Sequence, residues 1–114
     1  MTEQRIALST NDLKNLSSDS FGHSHYFKVI DLADGGVEEV DLRENVLFMQ
    51  ACDLRGRVEH LHGLLIDVQY LVGSQFEDSA KEQLENLGHK VVTKNPEKLQ
   101  NIITQLSTAN NVLE

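Results

Sequence analysis

The sequence predicts an α/β fold: a mixed five-stranded sheet with helices on its faces and one antiparallel strand. Three observations carry this. RIALS, residues 5–9, is a short apolar run suited to a central strand. YFKVIDL, residues 26–32, and VEEVDLR, residues 37–43, flank an Asp-Gly-Gly turn and read as a hairpin, which requires one strand to run antiparallel. Beyond residue 68, short β-branched runs alternate with amphipathic stretches, the pattern of parallel strands joined by a right-handed crossover.

Each element has its own signal. NDLKNLSSDS, residues 11–20, is rich in Asn, Asp and Ser and reads as a loop. In the second hairpin strand Val37, Val40 and Leu42 alternate imperfectly. NVLFMQACD, residues 45–53, suits a strand, a short helix or a packed connection equally well. From Leu54 to Asp67 a helix is expected, because Val58, Leu61 and Leu65 recur at i, i+3 and i+7. Gly56 and Gly63 oppose it, each by about 1 kcal/mol relative to Ala.

VQYLVG, residues 68–73, reads as a buried strand. Ser74 and Glu77 then have the spacing of a capping box, ahead of a helix that buries Phe76, Ala80, Leu84 and Leu87. Gly88 ends that helix as a left-handed C′ residue. HKVVT is the last strand. Asn95 and Pro96 predict the cap and first residue of a final helix, with Leu99, Ile102, Ile103 and Leu106 as its apolar stripe. Residues 1–107 are expected to form one domain and residues 108–114 a frayed tail.

Composition removes several function classes. The formal net charge of −8 argues against a general nucleic-acid binder, since phosphate contacts need clustered Lys and Arg. Arg55, Arg57, Lys90 and Lys94 read as solvated charges. No apolar run approaches the ~20 residues of a membrane span, and the N-terminus has no secretory pattern. A lone Cys52 excludes an internal disulfide and fits a cytoplasmic protein. There is no phosphate-binding Gly motif, HExxH or nucleophile elbow, so neither nucleotide binding nor catalysis is supported.

The groups able to hold a metal are two histidine pairs and the cysteine. His23 and His25 in extended backbone would point to one side and share an ion. His60 and His62, two apart on a helix, lie on nearly opposite faces, so at most one joins such a site. Cys52 is a soft ligand as its thiolate and otherwise a small buried hydrophobe. The loop after RIALS and the turn at Gly73–Ser74 both fall at carboxyl ends of parallel strands, where α/β sheets bind ligands.

Three stretches in order, RIALST, SFGHSHYFKVID and VQYLVGSQFEDSAKEQLENLGHKVV, resemble the dinitrogenase iron–molybdenum cofactor biosynthesis family, with its NifX- and NafY-like domains. The resemblance spans roughly residues 4–94. It implies a ribonuclease H-like three-layer αβα fold and a non-enzymatic role in binding or carrying an iron–sulfur or iron–molybdenum cluster. Nitrogenase or cluster assembly proteins are the implied partners, and nitrogen fixation the implied setting. Cofactor contacts would fall at Ser20, Phe21, Gly22, Gly73 and Ser74, and metal ligands would come from His23, His25, Cys52, His60 and His62. The sequence departs from the family pattern at three points. Ser20 stands where the family has His before Phe-Gly. The Gly-rich turn is reduced to Gly73. The His-Gly-x-Gly stretch survives only as Gly56, with Asp53 at the His position. A metal-free interaction or regulatory domain on the same scaffold is the alternative expectation.

Overall fold

The computed structural model describes residues 4–33, 36–45 and 54–109. Its strands are β1 (Gln4–Thr10), β2 (Tyr26–Ala33), β3 (Gly36–Glu44), β4 (Tyr70–Gly73) and β5 (Lys90–Thr93). Its helices are α1 (Leu54–Leu64), α2 (Asp78–Asn86) and α3 (Leu99–Ala109), with a one-turn 3-10 helix at Phe21–His23. The strands form one sheet in the order β3-β2-β1-β4-β5. β2 runs antiparallel to both neighbours, while β1, β4 and β5 are mutually parallel. The mixed five-stranded α/β architecture expected from the sequence is therefore present, with RIALS at its centre.

Strand alternation divides the core into two layers. Ile6, Leu8, Ile30, Leu32, Val72 and Val92 face one side, where Leu99, Ile102, Ile103 and Leu106 of α3 cover them. Ala7, Phe27, Val29 and Leu71 face the other, beneath Val58 and Leu61 of α1 and Ala80 and Leu84 of α2. α3 presents the full apolar stripe that its spacing foretold, and the other two present part of theirs, Val58 and Leu61 in α1 and Ala80 and Leu84 in α2. The broken alternation of β3 is a bulge: Val29 pairs with Asp41 and Ile30 with Glu39, leaving Val40 as the extra residue. Ala33 pairs with Gly36 across a two-residue connection, and Gly36 takes a φ of +140°. Asp34 and Gly35 of the expected turn lie outside the described residues, as do residues 46–53.

Several boundaries differ from the expected ones, most of them for a visible reason. α1 ends at Leu64 rather than Asp67. A guanidinium N–H of Arg43 donates to the Leu64 carbonyl at 2.9 Å, and Asp67 turns away to bind Arg5 and Arg43. β4 begins two residues late, although Val68 is buried. The capping box does not form. The Ser74 hydroxyl donates instead to the Ser17 carbonyl at 2.6 Å, and α2 starts after Glu77, which makes no side-chain cap. Asn95 and Pro96 do not start α3. Residues 97 and 98 first pair with the loop after β1, through Leu16 N–H to the Glu97 carbonyl and an Asn15–Lys98 bridge, so the helix begins at Leu99.

Leu87, expected in the core, is the C-cap of α2 and is exposed. The end of α2 follows the sequence closely. The Gly88 amide donates to the Glu85 carbonyl and the His89 amide to the Leu84 carbonyl, both at 3.1 Å, with Gly88 at φ +100°. This is a Schellman motif built on the predicted C′ glycine. α3 continues to Ala109, two residues past Ser107, the expected end of the domain. No helix among the described residues is long and apolar enough to cross a membrane.

Candidate functional site

The carboxyl ends of β1, β4 and β5 converge with the loop at residues 11–25. That loop is stitched to its neighbours. Asn11 donates from Nδ2 to Ser17 and Asp19, and its Oδ1 accepts from the His25 amide at 2.9 Å. Asp12 accepts from the amides of Lys14 and Asn15, which hold its carboxyl down to about pH 2. Ser20 pairs with Gln75 in a parallel bridge, and the Phe21 amide donates to the Gln75 carbonyl. The segment after β4 thus continues as an extended partner for the SFG stretch, which is why no helix cap forms there.

Phe21 is fully buried. Its ring stacks on Phe76, with centroids 4.9 Å apart, and meets Phe27 at 4.7 Å. Gly73 lies against the same rings: a Cβ at this position would sit 3.0 Å from Phe21 Cδ1. Ser20, Phe21 and Gly22 line a crevice with Arg57, Leu61 and Phe76, and the cavity left inside is about 10 Å³. That volume is close to the smallest that accommodates one water. Any larger ligand would rest on the outer rim, where His23 and Glu77 are exposed, 4.0 Å apart.

Beneath the rim lies a polar cluster that the sequence reading missed. Asn45, buried at the end of β3, donates from Nδ2 to the carbonyls of Gly22 at 3.0 Å and Ser24 at 2.8 Å. Arg57, read from sequence as solvated, is only 7% exposed and also donates to the Gly22 carbonyl, at 3.2 Å. His60 Nε2 lies 3.1 Å from Asn45 Oδ1. Because the two carbonyls fix Nδ2 as donor, Oδ1 is the acceptor and His60 must donate from Nε2. That nitrogen has no lone pair for a metal. Burial, and then the nearby Arg57 charge, hold the His60 pKa below the usual imidazole range. A Cβ on Gly22 would fall 2.8 Å from Arg57 Cδ, so this glycine lets the guanidinium lie across the backbone.

The histidines do not gather. His23 belongs to the 3-10 turn rather than an extended run, so the geometry assumed for a shared His23–His25 ion is absent. His25 instead uses its backbone, accepting from the Asn45 amide at 2.8 Å. His60 and His62 diverge, as their helical spacing required. His62 Nδ1 meets His89 Nε2 at 2.9 Å, near the amino end of β5. His89 is buried, with Nδ1 2.9 Å from the Val68 carbonyl. The carbonyl must accept, so neutral His89 donates from Nδ1 and its Nε2 accepts a hydrogen bond from His62 Nδ1–H. Burial first, and then His62, lower the His89 pKa, while the Val68 bond opposes them. Cys52 lies outside the described residues. Among those described, no three His, Cys, Asp or Glu side chains are grouped to hold a metal.

Arg57 carries a faint sequence signal, because it precedes Leu61 by one helical turn and so borders the apolar stripe. Asn45 carries none beyond its place after a strand. His89 follows the C′ glycine, a position that commonly turns back onto the helix it ends.

The comparisons decide the family. The dinitrogenase iron-molybdenum cofactor family profile matches residues 3–109. The chain belongs to this family. A search of curated proteins returns no match. Among solved structures, the crystal structure of PH0822 is 23% identical with a TM-score of 0.74, covering 97% of this chain and 96% of its own. The NMR structure of a Thermotoga protein named for NifB, of the DUF35 family, is 27% identical with a TM-score of 0.65, covering 94% and 90%. A Methanocaldococcus jannaschii structure named for dinitrogenase is 15% identical with a TM-score of 0.63, covering 93% and 88%. At such identities, the first and third of these carry the fold alone.

Proposed function

We propose that this chain is a non-enzymatic binding or carrier domain for a metal cluster of the iron–sulfur or iron–molybdenum type. It would work beside nitrogenase or cluster assembly proteins in the cytoplasm. Family membership over residues 3–109 is the observation that carries the reading. The strand order, with only β2 antiparallel, supports a ribonuclease H-like assignment of the fold. The cluster is cargo, bound on the rim rather than in the crevice. His23 is the accessible imidazole there, Glu77 stands beside it, and His25 and Cys52 are further ligand candidates by residue chemistry. The buried Arg57 guanidinium contributes positive charge behind the rim, which suits an anionic cluster. Ser20, Phe21, Gly22, Gly73 and Ser74 would shape the support rather than ligate.

Anaerobic reconstitution of the 114-residue chain with iron and sulfide tests this. Stoichiometric iron should remain after desalting, and the double variant His23→Ala/His25→Ala should lose most of it. Failure of the wild-type chain to retain metal would refute the carrier reading.

A second reading, a metal-free interaction domain, also has an observation behind it. The resemblance implies a histidine where this chain has Ser20, and no three-ligand group occurs among the described residues. A co-purifying partner that binds equally well after chelator treatment would favour it.

A further inference from the structure

On the α3 side of the sheet, away from the rim, lies an open groove of about 390 Å³. Leu99 and Ile103 of α3 form part of its buried wall, and Leu13, Lys14, Lys28 and Lys98 border it. No carboxylate among the described residues lines it, although the whole chain carries a net charge of −8. Lys28 is already paired with Glu39 at 2.7 Å. Lys14 and Lys98 make no ion pair among the described residues, and both are exposed. They are held together by backbone, through the Asn15–Lys98 bridge and the Leu99 amide donating to the Lys14 carbonyl at 2.9 Å. Two lysines without an ion pair among the described residues, on neighbouring backbone of an acidic protein, make a local site of opposite sign.

Leu13 adds an apolar anchor. It is 46% exposed and sits at φ +67°, a left-handed conformation rarely taken by a residue with a branched side chain. It lines both this groove and a second one of about 250 Å³, shared with Lys28, Val40 and Leu42 and with two carboxylates that are already paired, Glu39 with Lys28 and Asp41 with Arg43. Val40 and Leu42 are 40% and 47% exposed, and Leu42 lies opposite Lys28 in the β2–β3 register. Three of the five large exposed hydrophobic residues among those described thus meet at one place, beside the Lys28–Glu39 pair and next to the groove that holds Lys14 and Lys98. The bulge at Val40 and the strained turn at Leu13 hold them there against the usual tendency to bury.

We propose that this double groove docks a short acidic segment of a partner protein. Its leucine- or valine-like side chains would lie against Leu13, Val40 and Leu42, and its carboxylates would pair with Lys14 and Lys98. The unpaired Lys14 and Lys98 beside the apolar patch select an acidic partner, and two adjoining open grooves suit a peptide chain rather than an enclosed small molecule.

The test uses a fluorescein-labelled octapeptide of alternating glutamate and leucine, titrated into the full chain by anisotropy and mapped by amide chemical shifts. Saturable binding is expected, with shifts at residues 13–15, 28 and 98–100. Lys14→Glu/Lys98→Glu should weaken it at least tenfold. Leu13→Gly should weaken it several-fold while keeping the fold, because glycine accepts the positive φ. No saturation into the millimolar range, equal binding of a lysine–leucine octapeptide, or an unchanged charge-reversed variant would each overturn the proposal. So would full competition by equimolar inorganic phosphate, which marks a simple anion site. Self-association of the wild-type chain that disappears in the variants would assign the groove to a second copy instead.

Discussion

Gly73→Ala isolates the crowding at the base of the site. The new Cβ would lie 3.0 Å from Phe21 Cδ1, 3.2 Å from Ser9 Oγ and 3.3 Å from Phe76 Cε1. None of these atoms ends a flexible chain. The two carbons belong to stacked rings, and Ser9 is buried with its hydroxyl 3.5 Å from the Val72 carbonyl. Gly73 does not have a positive φ, so its backbone accepts alanine and the cost is steric alone. Overpacking of this kind costs about 1–3 kcal/mol. The lower unfolded-state entropy of alanine returns about 0.4–1 kcal/mol. The net loss should be about 1–2 kcal/mol, read as a lower urea midpoint with an unchanged slope. Two other glycines frame the result. Gly63, exposed in α1 with nothing within 4 Å of a built Cβ, should gain about 0.5–1 kcal/mol as alanine. Gly88 has equally open space but φ +100°, so Gly88→Ala should destabilise through backbone strain. A Gly73→Ala protein as stable as wild type would refute the reasoning, because it would mean that the aromatic stack yields freely.

Stability should fall as pH drops below about 6.5, the unperturbed imidazole value. Native His60 and His89 take up protons less readily than in the unfolded chain, so their contribution is complete above that value and is lost toward acid. His89→Gln should flatten part of the slope in urea melts at stepped pH. Asp67→Asn should cost about 0.5–1 kcal/mol, because Arg5 and Arg43 converge on a carboxylate that is partly solvated. Asp67 and Asp31 have lowered pKa values through their arginine bonds, so this part of stability is present above about pH 4 and is lost as pH falls through their folded values. Ile102→Ala should cost about 2–5 kcal/mol by emptying a fully buried position under α3, measured by the same unfolding assay.

The sequence revealed the elements far better than the site. Val58, Leu61 and Leu65, the stripe of α3, and Gly88 each act through a periodicity or a backbone preference that operates locally. The failures lie where distant chain intervenes. Ser74 has the right spacing for a cap, but Ser17 takes its hydroxyl across 57 residues. Asn95 and Pro96 are displaced as a helix start by pairing with residues 14–16. Arg57 looked solvated because nothing in its neighbourhood shows that the Gly22 carbonyl will lie above it. The histidines illustrate the same limit. Helical geometry separated His60 from His62 correctly, yet the partners of each lie far away in sequence, Asn45 just after β3 and His89 just before β5.

The order of strand pairing has a kinetic consequence. β1, β2 and β3 pair with sequence neighbours, whereas β4 joins the sheet beside β1 with Tyr70 aligned to Ile6. Closing that contact before a template exists would enclose more than sixty residues in one loop, an entropic cost that slows non-local pairing. The antiparallel meander therefore forms as the early scaffold, and the parallel strands with α2 and α3 dock onto its exposed β1 edge. Destabilising changes within residues 4–44 should slow refolding, while those in α3 should chiefly speed unfolding.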